Sequence, residues 1–233
     1  MKISVDTKQL NKHIAWIEKQ TRFAGALAAT NTAKIVREGL KDEMRDSFDR
    51  PTPFTINAFY IRAAKKADKI PTAKVEIKDS PSRYYLKAQI HGGSRYRKRT
   101  EHLLTNAGIL PRGQYVVPGR GVRLNKYGNM TRGQIQRMLS NLNAQHDKHA
   151  NTTDESKRKF FVSTNSGSTR GFHAGIWERS PAGRKIKPFL MFVKKPTYEA
   201  GYFDFFYASE QIANDNIKIE FKKAFKHAIK TAR

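Results

Sequence analysis

Groups able to do chemistry are present in this sequence, but few stand at a useful spacing. The histidines are His13, His91, His102, His146, His149, His173 and His227. Only His146 and His149 lie close, three residues apart around Asp147, a spacing that shares one face of a helix. A transition-metal site needs at least a third ligand and often thiolates, and the chain has no cysteine. The pair therefore reads as a polar stretch rather than a metal centre. Neither a GxSxG nucleophile elbow nor a GxxxxGK(S/T) phosphate loop occurs, and acids are scarce in the basic middle of the chain. Gly92–Gly93 and the GRG of Gly119–Gly121 could present amides to phosphate as nests, although such glycines ordinarily serve turns. No catalytic, metal or cofactor-binding residue is assigned and no cofactor is implied. The expectation is a protein that is not an enzyme.

Cations interleaved with aromatics are the chemistry that remains. RYRKR (Arg95–Arg99) sets Tyr96 among four cations, and KRKFF (Lys157–Phe161) and GRKIK (Gly183–Lys187) add more. Such runs suit phosphate contact with base stacking, yet none matches a zinc finger, an RNA-recognition motif or a homeodomain helix. The pattern fits charge-driven, sequence-independent contact. Candidate residues for such contact, for lining a DNA passage or for meeting an acidic protein surface are Arg95, Arg97, Lys98, Arg99, Arg112, Arg120, Arg123, Lys126, Arg132, Lys157, Arg158 and Lys159.

The whole chain shares this bias. Its 233 residues hold 45 Lys and Arg against 20 Asp and Glu, a formal charge of +25. That excess repels itself and goes beyond what solubility needs, so a polyanion or an acidic protein surface is the expected counterpart. Without cysteine, disulfide staples and thiolate nucleophiles are excluded. No apolar run reaches the roughly 20 residues of a membrane span, and the first residues lack a signal-peptide core. The expectation is a soluble protein made in a cytoplasm.

The elements that must position these cations follow in order. Ile3 and Val5 alternate as a small edge strand; Asp6 or Thr7 then caps a helix with Leu10, Ile14 and Ile17 at helical spacing. A second helical stretch, Arg22–Phe48, has an alanine-rich middle suited to close helix packing, and PTPFT ends it. Asn57–Ala63 and Ala73–Lys78 alternate as strands, while Pro81–Ile90 fits a helix or a strand. His91–Gly133 is irregular and rich in glycine, with a short helix at Thr100–Ala107 and a short strand at Gln114–Val117. Thr131 caps a helix carrying Ile135, Met138, Leu139 and Leu142 on one face. Three apolar runs centred on Phe160–Val162, Ile176–Trp177 and Ile186–Val193 make an antiparallel meander, and the near-continuous third run belongs at its centre. Tyr198–Arg233 closes the chain as a long helix.

The expected class is α+β: long N-terminal helices, a small mixed or antiparallel sheet with a long basic glycine-rich loop, and a long C-terminal helix. It is read as one domain over residues 1–233. Its parts are a helical arm 7–48, basic loop region 91–133, flexible segment 143–156, β-meander 158–195 and C-terminal helix 202–231.

PTPFTINAFYIRAA (Pro51–Ala64), LNKYGNMTRGQIQRMLSNL (Leu124–Leu142), GIWER (Gly175–Arg179), KIKPFLMFVKKP (Lys185–Pro196) and the final helix carry a resemblance. In that block order the chain resembles minor tail or tail completion proteins of tailed phages and prophages, similar to the minor tail protein Z family. YGNMTRGQI is the most specific block, and the meander with its helix the most general. The resemblance implies a structural virion protein without a catalytic centre, assembled in the bacterial host cytoplasm into the virion tail or neck. It implies a cyclic homo-oligomer, hexamer or dodecamer, that touches neck, connector and tail proteins and the packaged double-stranded DNA, with no membrane partner. From the residues alone, a free sequence-independent nucleic-acid-binding protein stands as the alternative.

Overall fold

The computed structural model describes residues 7–78, 81–154, 159–164, 171–180, 185–200 and 203–232, with residues 81–84 described by their backbone. The first strand expected at Ile3–Val5 and the candidate cations Lys157 and Arg158 lie outside them. The fold is α+β, with long helices near either end of the chain and small antiparallel sheets between. Its contacts group into two compact units, Met1–Leu86 with Gly201–Arg233, and Lys87–Ala200. Each is described by itself.

In the first unit, helix α1 (Lys8–Ser47) is a single helix of 40 residues, about 60 Å long. The sequence reading of two helices fails at Gln20–Phe23, where nothing breaks the backbone. Thr21 Oγ1 instead donates to the Ile17 carbonyl four residues back, at 2.9 Å. The Pro51–Thr55 stop holds. Phe48 is extended, Thr52 Oγ1 accepts from the Thr55 N–H at 3.1 Å, and the one-turn helix α2 (Pro53–Ile56) follows. Strands β1 (Phe59–Arg62) and β2 (Lys74–Ile77) pair antiparallel, Phe59 opposite Ile77.

Helix α6 (Phe205–Thr231) runs antiparallel to α1. Ala24 and Ala28 pack on Ala224 and Ala228, Asn31 Nδ2 donates to Glu220 Oε2 at 3.3 Å, and Gly39 faces Ile212. Small residues on both sides let the two backbones approach, which is what the alanine-rich middle predicts. Phe203 is buried at the start of α6. Its ring lies 5.8 Å from that of Phe48 and 6.2 Å from that of Phe59.

Helix α3 (Pro81–His91) resolves the helix-or-strand ambiguity in favour of the helix. In the second unit, short strands β3 (Gly93–Ser94) and β8 (Thr197–Tyr198) pair with each other. Helix α4 (Arg99–Asn106) and strand β4 (Tyr115–Pro118) sit where the sequence places them. Helix α5 (Arg132–Asn141) starts at a reciprocal cap, in which Thr131 Oγ1 accepts from the Gln134 N–H and Gln134 Oε1 accepts from the Thr131 N–H. Strands β5 (Phe160–Ser163), β6 (Gly175–Arg179) and β7 (Ile186–Val193) form the meander. Its sheet has the order β4-β7-β6-β5, so β7 is central, as its apolar run predicts, and β4 is the fourth strand.

One face of this sheet packs against α4 and α5. Leu104, Met138 and Leu139 meet Val116, Phe160, Ile176, Phe189 and Leu190 in one buried cluster. The segment read as flexible, 143–156, is tied to that core in its described part. Asn143 takes a positive φ of 54° after α5, and Ala144 is buried with its N–H on the Leu139 carbonyl. Asn141 Nδ2 donates to Thr152 Oγ1 at 3.1 Å, and the Thr152 N–H donates to the Ser140 carbonyl. Polar composition suggested a solvated linker, but these side chains are consumed in local hydrogen bonds.

Candidate functional site

The basic loop is built around an acid. Glu101, in the first turn of α4, is fully buried and accepts four hydrogen bonds. Arg95 donates two of them, Nη2 to Oε1 at 2.6 Å and Nη1 to Oε2 at 2.9 Å. The Lys98 N–H donates at 2.6 Å and the Val116 N–H at 3.0 Å. Burial pushes the Glu101 carboxyl up, but Arg95 and the two amides together hold it below the ordinary carboxylate range. Arg95 is itself 7% exposed, lies 4.9 Å over the Tyr115 ring, and is held charged chiefly by Glu101. Arg95 is therefore a strut joining α4 to β4, and the expectation that it contacts DNA or a neighbour is corrected.

Arg97 is also committed inward. It is half-buried, with Nη2 donating to Thr105 Oγ1 and to the Gln114 carbonyl. The remaining described candidates, Lys159 aside, face outward. Lys98, Arg99, Arg112, Arg120, Arg123, Lys126 and Arg132 are exposed, with Lys126 Nζ 5.1 Å above its neighbour Tyr127. Lys159 is half-buried at the start of β5, its N–H donating to Asn141 Oδ1 at 2.9 Å. The run RYRKR thus divides by function: two guanidinium groups hold the fold, and Lys98 and Arg99 remain for solvent.

The YGNMTRGQI block is a turn and a cap. Asn125 Oδ1 accepts from the N–H groups of Tyr127 and Asn129, both at 3.0 Å, and Gly128 takes a φ of 73°. Thr131 and Gln134 then start α5, and Gln134 Nε2 reaches back to the Arg123 carbonyl at 2.9 Å. The turn holds Lys126 between Asn125 and Tyr127, and the Gln134 contact holds the backbone at Arg123.

Three cations outside the expected set also bear on the surface. Arg137 on α5 pairs with the buried Glu178 at 3.1 Å, which Lys187 also reaches at 3.2 Å. Arg179, exposed at the end of β6, lies 4.8 Å over the Phe161 ring. Alternation along β6 sets Trp177 and Arg179 on one face and Ile176 and Glu178 on the other, which marks Arg179 as outward-facing beside a tryptophan; its place over Phe161 needs the β5–β6 register as well.

His146 and His149 flank Asp147, whose Oδ1 accepts from the His149 N–H at 2.9 Å and caps a one-turn 3₁₀ helix, Lys148–Ala150. Among the described residues no three of His, Cys, Asp and Glu are grouped to hold a metal ion. No described helix is long and apolar enough to cross a membrane. No protein-family model matches the chain, and neither a curated protein nor a solved structure is similar to it.

Proposed function

We propose that the chain is a structural subunit of a tailed-phage virion, a tail completion or neck component that closes into a ring around the DNA channel between tail and head–tail connector. One observation carries this reading beyond the resemblance of the sequence blocks. The first three turns of α1, before Gln20, contain no buried residue, yet they bear Leu10, Ile14 and Ile17 at 57, 54 and 40% exposure. That i, i+4, i+7 stripe is the kind a helix covers with a partner. Beside it, Ala15, Phe23, Lys66 and Thr231 line an open cleft of about 770 Å³. A ring neighbour supplies the covering surface, and a channel of DNA offsets the charge.

A free, sequence-independent nucleic-acid-binding protein is the second reading, favoured by the exposed cations Arg112, Arg120, Arg123, Lys126 and Arg132. The two separate in solution and in the particle. The ring reading expects a closed assembly by native mass spectrometry, lost when Leu10, Ile14 and Ile17 become serine, and density for this chain at the head–tail junction of intact virions. A monomer or dimer absent from the virion would discard it and leave the nucleic-acid reading.

A further inference from the structure

The outer face of β5 and β6, turned away from the helices, carries a constellation that the ring reading does not use. Phe161 and Trp177 stand directly opposite in the strand register. One rung further, the Arg179 N–H donates to the Lys159 carbonyl at 2.8 Å, which brings Lys159 and Arg179 opposite each other. An aromatic rung therefore adjoins a cationic rung about 7 Å along the strands.

Like charges directly opposite on a sheet are destabilising, and here nothing described neutralises them. Among the described residues neither Lys159 nor Arg179 has an acidic partner; Glu178, Arg137 and Lys187 meet on the other face. The aromatic side is pre-set. The Phe172 ring lies 4.6 Å from that of Trp177 and 5.9 Å from that of Phe161, and Trp177 Nε1 donates to the His173 carbonyl at 3.1 Å. Phe161 and Trp177 remain half-buried, so each keeps open surface, and Phe161 backs the exposed Arg179 guanidinium. Stacking planes fixed before the ligand arrives cost little to order.

We propose that this face binds single-stranded nucleic acid, a base stacking on Trp177 and on the Phe161-backed guanidinium of Arg179 while Lys159 and Arg179 hold the flanking phosphates. Unstacked bases reach rings on a sheet face, whereas a duplex keeps its base planes covered. The charge of the rung selects an anion, and the adjoining rings select one with a flat apolar plane. The site stands independently of the ring reading, since it needs no neighbouring subunit.

The test uses the full chain with Trp16→Phe, which leaves Trp177 as the sole tryptophan of two, and an oligothymidylate about a dozen nucleotides long. Titration is expected to quench Trp177 emission, and a duplex of equal length is expected not to. Phe161→Leu should weaken binding by roughly tenfold. Lys159→Gln and Arg179→Gln should each reduce the slope of log affinity against log salt by about 0.7. Lys218→Gln, an equal charge change on α6, should leave affinity within about twofold, with circular dichroism confirming that each variant is folded. Absence of quenching would overturn the proposal. So would equal losses in Lys159→Gln, Arg179→Gln and Lys218→Gln, which would assign any binding to bulk charge.

Discussion

Arg95 and Glu101 form a buried, two-pronged ion pair, with Nη2–Oε1 at 2.6 Å and Nη1–Oε2 at 2.9 Å. The carboxylate also anchors the first turn of α4 through Lys98 and the start of β4 through Val116. Removing one member of such a pair leaves the other charge buried without compensation, at a cost of about 3–5 kcal/mol. Glu101→Gln keeps the shape and loses the charge, so it should lower the unfolding free energy by that amount, read as a lower urea midpoint with the slope unchanged. The double variant Arg95→Gln/Glu101→Gln should cost less than the sum of the singles. Strict additivity would show the pair to be uncoupled.

The same carboxylate makes an acid-dependent contribution. Its folded pKa is depressed by Arg95 and two backbone amides that together outweigh burial. A depressed carboxylate stabilises fully above its unfolded pKa, near 4.3, and loses that stability as pH falls through the lower folded value. The Tm difference between the native chain and Glu101→Gln should therefore be largest at neutral pH and narrow below about pH 4. A gap that is independent of pH down to strong acid would remove the charge from the account.

How much of this was legible follows from the range of each interaction. The Thr131 cap, the β6–β7 run and the α4 helix rest on signals within a few residues, and they appear where the sequence puts them. The role of Arg95 does not, because a run of cations reads as a solvated face. The acid that claims it is six residues on, brought close by the chain's turn into α4. The pairing of β4 with β7, Val116 opposite Phe192, joins distant segments and leaves no local periodicity. The outward set of Lys159, Phe161, Trp177 and Arg179 becomes visible only once the β5–β6 register is known.

Three glycines separate crowding from flexibility. A Cβ on Gly175 would lie 2.5 Å from the Leu190 carbonyl oxygen, and one on Gly119 would run into the Pro188 carbonyl, so both press on the backbone of β7. Gly133, inside α5, meets nothing within 4 Å. Gly175→Ala and Gly119→Ala should each destabilise by about 1–3 kcal/mol through forced backbone shifts. Gly133→Ala should stabilise by about 0.5–1 kcal/mol through helix propensity. Thermal melts of the three variants decide it, and a loss at Gly133 would mean that the position is covered.

Thr32 tests the seam between α1 and α6. Its side chain is buried with Oγ1 lacking a hydrogen-bond partner among the described residues, and Ser209 Oγ on α6 is in the same condition. Both line a pocket of about 400 Å³ with Ala29, Val36, Ala213 and Ile217. A buried hydroxyl without a partner retains its desolvation cost and returns nothing. Valine has the same branched shape and a similar helix propensity, so Thr32→Val removes that cost without opening a cavity. It should stabilise by about 1 kcal/mol, which for a chain of this size raises Tm by about 2–4 °C. An unchanged or lowered Tm would mean that the hydroxyl is solvated within the pocket, and the seam would then be a wet one.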